Sequence, residues 1–358
     1  TRFFYSQATF YNAVAVAPVA RDAYLCHGEF WKRVGDASMR QRLLRSVSHV
    51  ASVEEHYRID ASYRTSESPR RDFIPPEWRV PEKLPRVLFV THPRPHYGLD
   101  VLYEGLCETV GDANVVEYPY KPTLHGARPE ELAHYPCMFD RAGAEVPLDL
   151  ILGQLANAEF DLVVYGDLEG GVAATTARAI AKAAGVVPMV LLDAQDDPLD
   201  QWAKMNEYVG GGLCMYFKRE MLACWDYGAH TVPMPFAYAD RRIPAVSNAA
   251  RKTQLFWAGH RSFGLRRLYL EHIESRFGLD LARTFTQEAY AAALSDSRIG
   301  LNIFGLGFDT VRYWEVPAHG ALLLAERLPI HVPHDFVDGE SAVFFDDLPE
   351  LEEKLAYW

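Results

Sequence analysis

The sequence predicts an α/β chain: two doubly wound units built on parallel sheets, with a partly helical extension in front of them. Three observations lead there. From residue 86 onward, short apolar runs alternate with longer amphipathic or Ala-rich stretches, the rhythm of strand, helix, strand. The runs are continuously apolar rather than alternating, as strands buried on both faces are. The rhythm lapses over 198–250 and restarts at 253, and 358 residues is too long for one ordinary core.

The elements follow in order. Residues 1–85 stand apart: 29–57 carries helical periodicity with many charges, and 66–85 holds five prolines and reads as an extended connector. "RVLFVTH" (86–92) is a buried strand, "GLDVLYEGLCETVG" (98–111) a helix with a glycine exit, and "NVVEYPY" (114–120) a second strand. The amphipathic "PLDLILGQLANAEF" leads to the strand "DLVVYGD" (161–167). The helix 176–185 leads to the strand "VPMVLLDAQDD" (187–197). The second unit gives strands at 253–259, 299–305, 321–326 and 342–347. Helices are expected at 264–278, 288–297, 311–319 and from 348. Boundaries are set at 1–85 for the extension, 86–240 for the first unit and 241–358 for the second.

Composition narrows the function. The formal net charge of −12 argues against nucleic acid held on a broad basic face, while a local arginine cluster can still hold a small anion. Five cysteines, Cys26, Cys107, Cys137, Cys214 and Cys224, form no CxxC pair. An odd count of this kind suits reduced thiols and a cytoplasmic setting rather than a disulfide framework or structural zinc. No 18-residue apolar run is present, so no transmembrane segment is expected.

The candidate ligand-binding residues sit at the carboxyl ends of the predicted strands, where folds of this class bind ligands. After 253–259 comes "GHRSFGLRR", with His260, Arg261 and Arg266 around a helix entrance. After 299–305 comes "GLGFDTVRYWE", with Gly305 and Gly307 in a turn and Arg312 and Glu315 in the next helix. Unpaired N–H groups at a helix start favour anions, glycines allow close backbone approach, and guanidinium forks grip phosphate oxygens. A carboxylate one turn in can accept hydrogen bonds from a ribose diol. The bland alternative for Arg312 and Glu315 is an i, i+3 surface ion pair worth about 0.2–0.5 kcal/mol. His319, before Gly320, reads as a helix cap. "GGG" at 210–212 lacks the lysine pattern of a phosphate loop.

The stretch "NIFGLGFDTVRYWEVPAHGALLLAE", followed by "VPHDFVDGESAVFFDDLPELEEKL", resembles the donor segment of GT-B glycosyltransferases. The likeness is to bacterial CgeB-like and group 1 members, and it covers 86–358 as architecture and 253–347 most specifically. It implies two Rossmann-like domains. Glu315 would lie on the nucleotide ribose, and Arg261, Arg266 and Arg312 on the diphosphate of a UDP- or GDP-sugar, with no cofactor and no catalytic metal. The first unit would carry the acceptor, with His92 and His96 at the mouth of an interdomain cleft. His92, His96 or Asp193, with Asp167 as a further candidate, would serve as base. The sequence departs from many retaining members at Gly307, where they carry a second glutamate, so the anomeric outcome stays open. The acceptor is unassigned and could be a protein, a glycan, a lipid-linked precursor or a small molecule. A nucleotide-sugar epimerase and a non-catalytic scaffold of the same architecture are the competing readings.

Overall fold

The computed structural model describes residues 83–133, 135–196, 198–223, 226–245, 250–261, 266–305 and 307–358. The expected extension over 1–85 lies outside the described residues but for its last three, as do Cys26 and Cys224. Two compact units emerge. One runs to Arg219 and resumes over Tyr227–Arg242; the other comprises Glu220–Asp226 and Ile243–Trp358. The segment Glu220–Asp226, which the sequence places within 86–240, thus clusters with the later residues.

The earlier unit is a six-stranded, wholly parallel sheet. Its strands are β1 (Val87–Val90), β2 (Val115–Tyr118), β3 (Leu162–Tyr165), β4 (Met189–Asp193), β5 (Leu213–Lys218) and β6 (Thr231–Pro233). They lie in the order β2-β1-β3-β4-β5-β6. Helices α1 (Tyr97–Val110), α2 (Leu148–Ala156), α3 (Ala174–Ala184) and α4 (Trp202–Val209) cover it. Successive strand residues serve opposite faces. Leu88 and Val90 pack with Ile151, Leu155 and Ile180 of α2 and α3, while Val87 and Phe89 pack with Leu99 and Tyr103 of α1. Both faces are therefore dry, which explains the unbroken apolar runs. The order reverses between β1 and β3, and the loops leaving their carboxyl ends form the switch point.

Residues 198–250, unassigned by periodicity, supply α4, β5 and β6. The register against β4 slips between Met189 and Val190, and Cys214 and Met215 are exposed, so β5 shows no clean apolar run. Gly210, Gly211 and Gly212 all hold positive φ, near 90°, and end α4 rather than cradle a phosphate.

The later unit is a four-stranded parallel sheet in the order β10-β9-β8-β7. Its strands are β7 (Thr253–Phe256), β8 (Ser297–Asn302), β9 (Leu322–Glu326) and β10 (Val343–Phe345). Helices α5 (Arg266–Phe277), α6 (Gln287–Ser295), α7 (Val311–Ala318) and α8 (Leu348–Tyr357) accompany it. One face packs Phe256, Leu323, Ala325 and Phe344 with Leu294 of α6 and Tyr313 and Val316 of α7. α5 meets the sheet through Tyr269 against Phe345 and meets α8 through His272 and Glu352. Gly300 of β8 lets α7 lie close, since a Cβ there would stand 2.4 Å from Val316 Cγ2. His319 closes α7, accepting or donating a 2.8 Å bond with Ser295 Oγ. Of the cysteines within the described residues, Cys107 and Cys214 are free thiols. No helix among the described residues is long and apolar enough to cross a membrane.

One ion pair near β2 gives the stability a pH dependence. His125 Nε2 lies 2.5 Å from Glu117 Oε1, and its Nδ1 lies 2.9 Å from the Arg141 carbonyl. Burial alone would lower the His125 pKa, but Glu117 and that carbonyl outweigh it and raise it. A raised folded pKa stabilises fully below the ordinary histidine value and loses that contribution as pH climbs through the folded value. Urea midpoints are therefore expected to fall as pH rises above the ordinary histidine range, and His125→Gln is expected to flatten that fall.

Candidate functional site

Two clusters form at carboxyl strand ends, one in each unit. In the later unit the loop after β7 presents Trp257, Ala258, Gly259 and His260 beside the N-terminus of α7. Trp257 is buried, with the Arg312 guanidinium 4.4 Å and the Arg266 guanidinium 5.2 Å from its ring. Cation–π contact fixes both arginines by way of the indole. Arg312, buried in the first turn of α7, donates through Nη2 to the Ala258 carbonyl. Gly259 makes that approach possible: its φ is 146°, and a Cβ would stand 2.8 Å from Arg312 Nη2.

Around this point, buried donors lack partners among the described residues. They are Trp257 Nε1, Arg312 Nε and Nη1, and Asn302 Nδ2. All are N–H groups, and buried N–H groups are seldom left orphaned. Asn302, at the end of β8, accepts from Thr310 Oγ1 at 2.5 Å. Thr310 is the residue before α7, and its side chain makes no capping bond to the helix. The main-chain N–H groups of Phe308 and Asp309 are held by the buried Glu220 carboxylate, at 2.9 and 3.1 Å. Glu326 in turn takes the Phe304 N–H at 3.1 Å.

Glu315 accepts from Tyr290 Oη of α6 at 2.7 Å. Burial, then Glu315, push the Tyr290 hydroxyl pKa up, and Arg312 opposes them, so Arg312 and Glu315 meet around one phenol. Gly305 and Gly307 close a turn through a 3.0 Å N–H to carbonyl bond. A Cβ on Gly305 would stand 2.9 Å from Arg266 Nη2.

The remaining basic residues are differently engaged. Arg266 donates to the Ile303 carbonyl at 3.0 Å and to the His260 carbonyl at 3.2 Å, and so ties the two loops together. Arg261 forks onto Glu274 of α5 at 2.8 and 2.6 Å. That pairing raises the arginine pKa and lowers the carboxylate's. His260 is exposed.

In the earlier unit the loops after β1 and β3 touch. A Cβ on Gly171 would stand 2.5 Å from Pro93 Cδ and 2.9 Å from His92 Nε2. Asp167 accepts the N–H groups of Gly171 and Val172 at 3.2 and 2.6 Å, which folds the second loop back. His92 is buried. The Arg94 N–H donates to its Nδ1 at 3.1 Å, which leaves the neutral ring's proton on Nε2, facing Glu169 at 3.5 Å and Asp167 at 4.0 Å. Its Nδ1 is thereby occupied, and its Nε2 faces two carboxylates.

His96, the residue before α1, differs. Its Nδ1 is buried and has no hydrogen-bond partner among the described residues. Burial lowers its pKa; Asp100 and Glu169 act against that, and Lys121 and Arg219 with it. Asp193 accepts from Tyr216 Oη at 2.5 Å, Lys218 Nζ at 2.9 Å and the Gln195 N–H at 3.0 Å. Its oxygens are committed to holding β4, β5 and the following turn.

The sequence expectations thus separate. Arg312 and Glu315 both act on the Tyr290 hydroxyl, while Gly305, in a turn with Gly307, lies against Arg266. Arg261 faces its own helix, and Arg266 faces main-chain carbonyls. Trp257, Gly259, Tyr290, Asn302 and Glu220 were not anticipated. Of these, only Gly259 carried a sequence signal, a glycine at a strand exit.

Residues 261–358 match a family model described as glycosyl transferase-like. The match supports glycosyl transfer as the general activity and implies a sugar donor and an acceptor. No match is found among the curated proteins. A solved structure, a conserved domain protein from Vibrio cholerae O1 biovar El Tor str. N16961, is 12% identical over 68% of this chain and 75% of that one. Its TM-score is 0.19, at which the likeness carries no argument.

Proposed function

We propose that this chain is a glycosyltransferase that takes a sugar from a nucleoside-diphosphate donor such as a UDP- or GDP-sugar. The later unit would hold the donor. The observation that carries the reading is the set of unpartnered buried N–H groups on Trp257, Asn302 and Arg312 beside the start of α7. Donors with no acceptors among them call for an acceptor-rich ligand, and a diphosphate is one.

In this reading Arg312 grips phosphate oxygens through Nε and Nη1 while Nη2 stays on the Ala258 carbonyl. The helix N-terminus adds its partial positive charge. Glu315, oriented by Tyr290, accepts from the ribose hydroxyls. Arg266 and Trp257 hold the two loops that frame the phosphates, and the developing charge on the departing diphosphate falls on groups already in place. The match of residues 261–358 to a glycosyl transferase-like model supports sugar transfer as the general activity.

A thermal-shift panel of UDP-, GDP- and dTDP-sugars tests it. A ligand at about a hundred times its dissociation constant adds about 2.7 kcal/mol to the stability. Stabilisation by one base series, with release of the nucleoside diphosphate on adding an acceptor mixture, is the expected result. Indifference to all three series would remove the donor site.

A further inference from the structure

Three arginines stand at the strand exits of the later unit, and they are held differently. Arg312 and Arg266 are buried, lean on the Trp257 ring and donate to main-chain carbonyls. Moving either would leave a buried carbonyl without its donor. Arg261 instead rests its fork on the Glu274 carboxylate, at 2.8 and 2.6 Å, with 27% of its side chain exposed. A carboxylate and a phosphate offer a guanidinium the same two-oxygen edge, so a ligand phosphate can replace Glu274 bond for bond. Glu274 loses little in that exchange: its side chain is 21% exposed, and Oε1 keeps the Leu281 N–H at 2.9 Å. Its neighbours Glu271 and Asp280 pair with Arg267 and Arg283.

Arg261 is also rooted beside the unpartnered donors. It follows Gly259 by two positions, so their Cα atoms lie at most about 7.6 Å apart, a distance that an arginine side chain spans. A Cβ on Gly259 would stand 2.8 Å from Arg312 Nη2. The carbonyl of the intervening His260 is tied to Arg266 at 3.2 Å, which fixes the root of the Arg261 side chain next to that cluster. We propose that Glu274 sets the affinity of the anion site by competing with the ligand's phosphate for Arg261. Without ligand, Arg261 is parked on Glu274; a bound diphosphate draws it across to Trp257, Asn302 and Arg312. Glu274 is ionised at neutral pH, since Arg261 and the Leu281 N–H lower its pKa, so it competes at full charge. The inference rests on the donor reading and adds to it a residue that weakens binding. Its benefit is product release: Glu274 recaptures Arg261 as the nucleoside diphosphate departs, a step that limits many enzymes.

Calorimetric titration of the full chain with UDP and, separately, with inorganic pyrophosphate tests the proposal. Glu274→Gln removes the charge and keeps an oxygen for the Leu281 N–H. It is expected to bind both probes about fivefold more tightly than the unaltered chain. Arg261→Ala is expected to bind them about fivefold more weakly. The double variant is expected to match Arg261→Ala, because the gain needs the arginine. A gain that survives without Arg261 is a general charge effect and overturns the proposal, as does a Glu274→Gln protein that binds no more tightly. A second measurement needs no altered binding site: the Arg261 side-chain Nε–H signal of the 15N-labelled chain, assigned by its loss in Arg261→Ala, is expected to shift as pyrophosphate saturates. A stationary signal overturns the proposal even where a variant fails to fold. UDP binding to the unaltered chain with no gain in Glu274→Gln defeats this inference alone. Failure of both probes to bind any of these proteins defeats the donor reading, and this inference with it.

Discussion

Arg312→Ala is expected to lower the affinity for the nucleoside diphosphate, and kcat/KM for transfer, by roughly a hundredfold to a thousandfold. The size of the effect follows from where the guanidinium stands. It is buried, it leans on the Trp257 ring at 4.4 Å, and one nitrogen is already anchored on the Ala258 carbonyl. The other two N–H-bearing nitrogens have no hydrogen-bond acceptor among the described residues. A fork held in place this way loses little freedom when it meets phosphate oxygens. Arg312→Lys keeps the charge but cannot hold the carbonyl and the phosphate together, so it is expected to recover only a minor part of the loss. Glu315→Ala should differ in kind: on the proposed donor reading it takes away the ribose acceptor, so UDP affinity is expected to fall while that for inorganic pyrophosphate holds. Calorimetric titration with UDP, GDP and pyrophosphate, alongside circular dichroism of each variant, makes the comparison. An Arg312→Ala protein that is folded and binds the nucleotide as tightly as before would show that α7 does not face the diphosphate.

Much of this was legible in the chain itself, for physical reasons. The strands β1, β3, β4 and β9 are almost wholly apolar runs because both faces of a parallel sheet are dry. Arg312 and Glu315 stood out because they share one short helix between a glycine turn and such a strand. What stayed hidden depends on distant partners. Trp257 looks like core until Arg312 is seen against it, and the Ala258 carbonyl is 54 positions from the nitrogen that binds it. Arg261 has the pattern of a phosphate ligand, yet Glu274 lies within reach once α5 has formed. β5 was hidden by its own irregularity, and α4 and β6 by their shortness. His92 and His96 look alike in "THPRPHYG". Only the fold shows that His92 Nδ1 accepts a main-chain N–H while His96 Nδ1 has no partner among the described residues.

Glu220→Ala is expected to have the largest effect on stability, on the order of 2–5 kcal/mol. Glu220 stands two positions beyond the end of β5, yet it belongs with the later unit. Its neighbours Leu222 and Ala223 pair with Ile330 and Pro329 by main-chain contact, and His331 donates to the Met221 carbonyl. This short ribbon carries the wholly buried Glu220 carboxylate to the loop that enters α7. There its two oxygens take the N–H groups of Phe308 and Asp309 from 88 and 89 positions away. Alanine would leave two buried N–H groups without acceptors, and the loop could satisfy them only by moving. Because that loop sets the start of α7, the movement would carry Arg312 with it, so nucleotide binding should fall as well as the urea midpoint. Glu220→Gln retains one oxygen and is expected to lose roughly half as much stability. A variant set in which stability falls but UDP affinity holds would show that Glu220 supports the core without aiming α7.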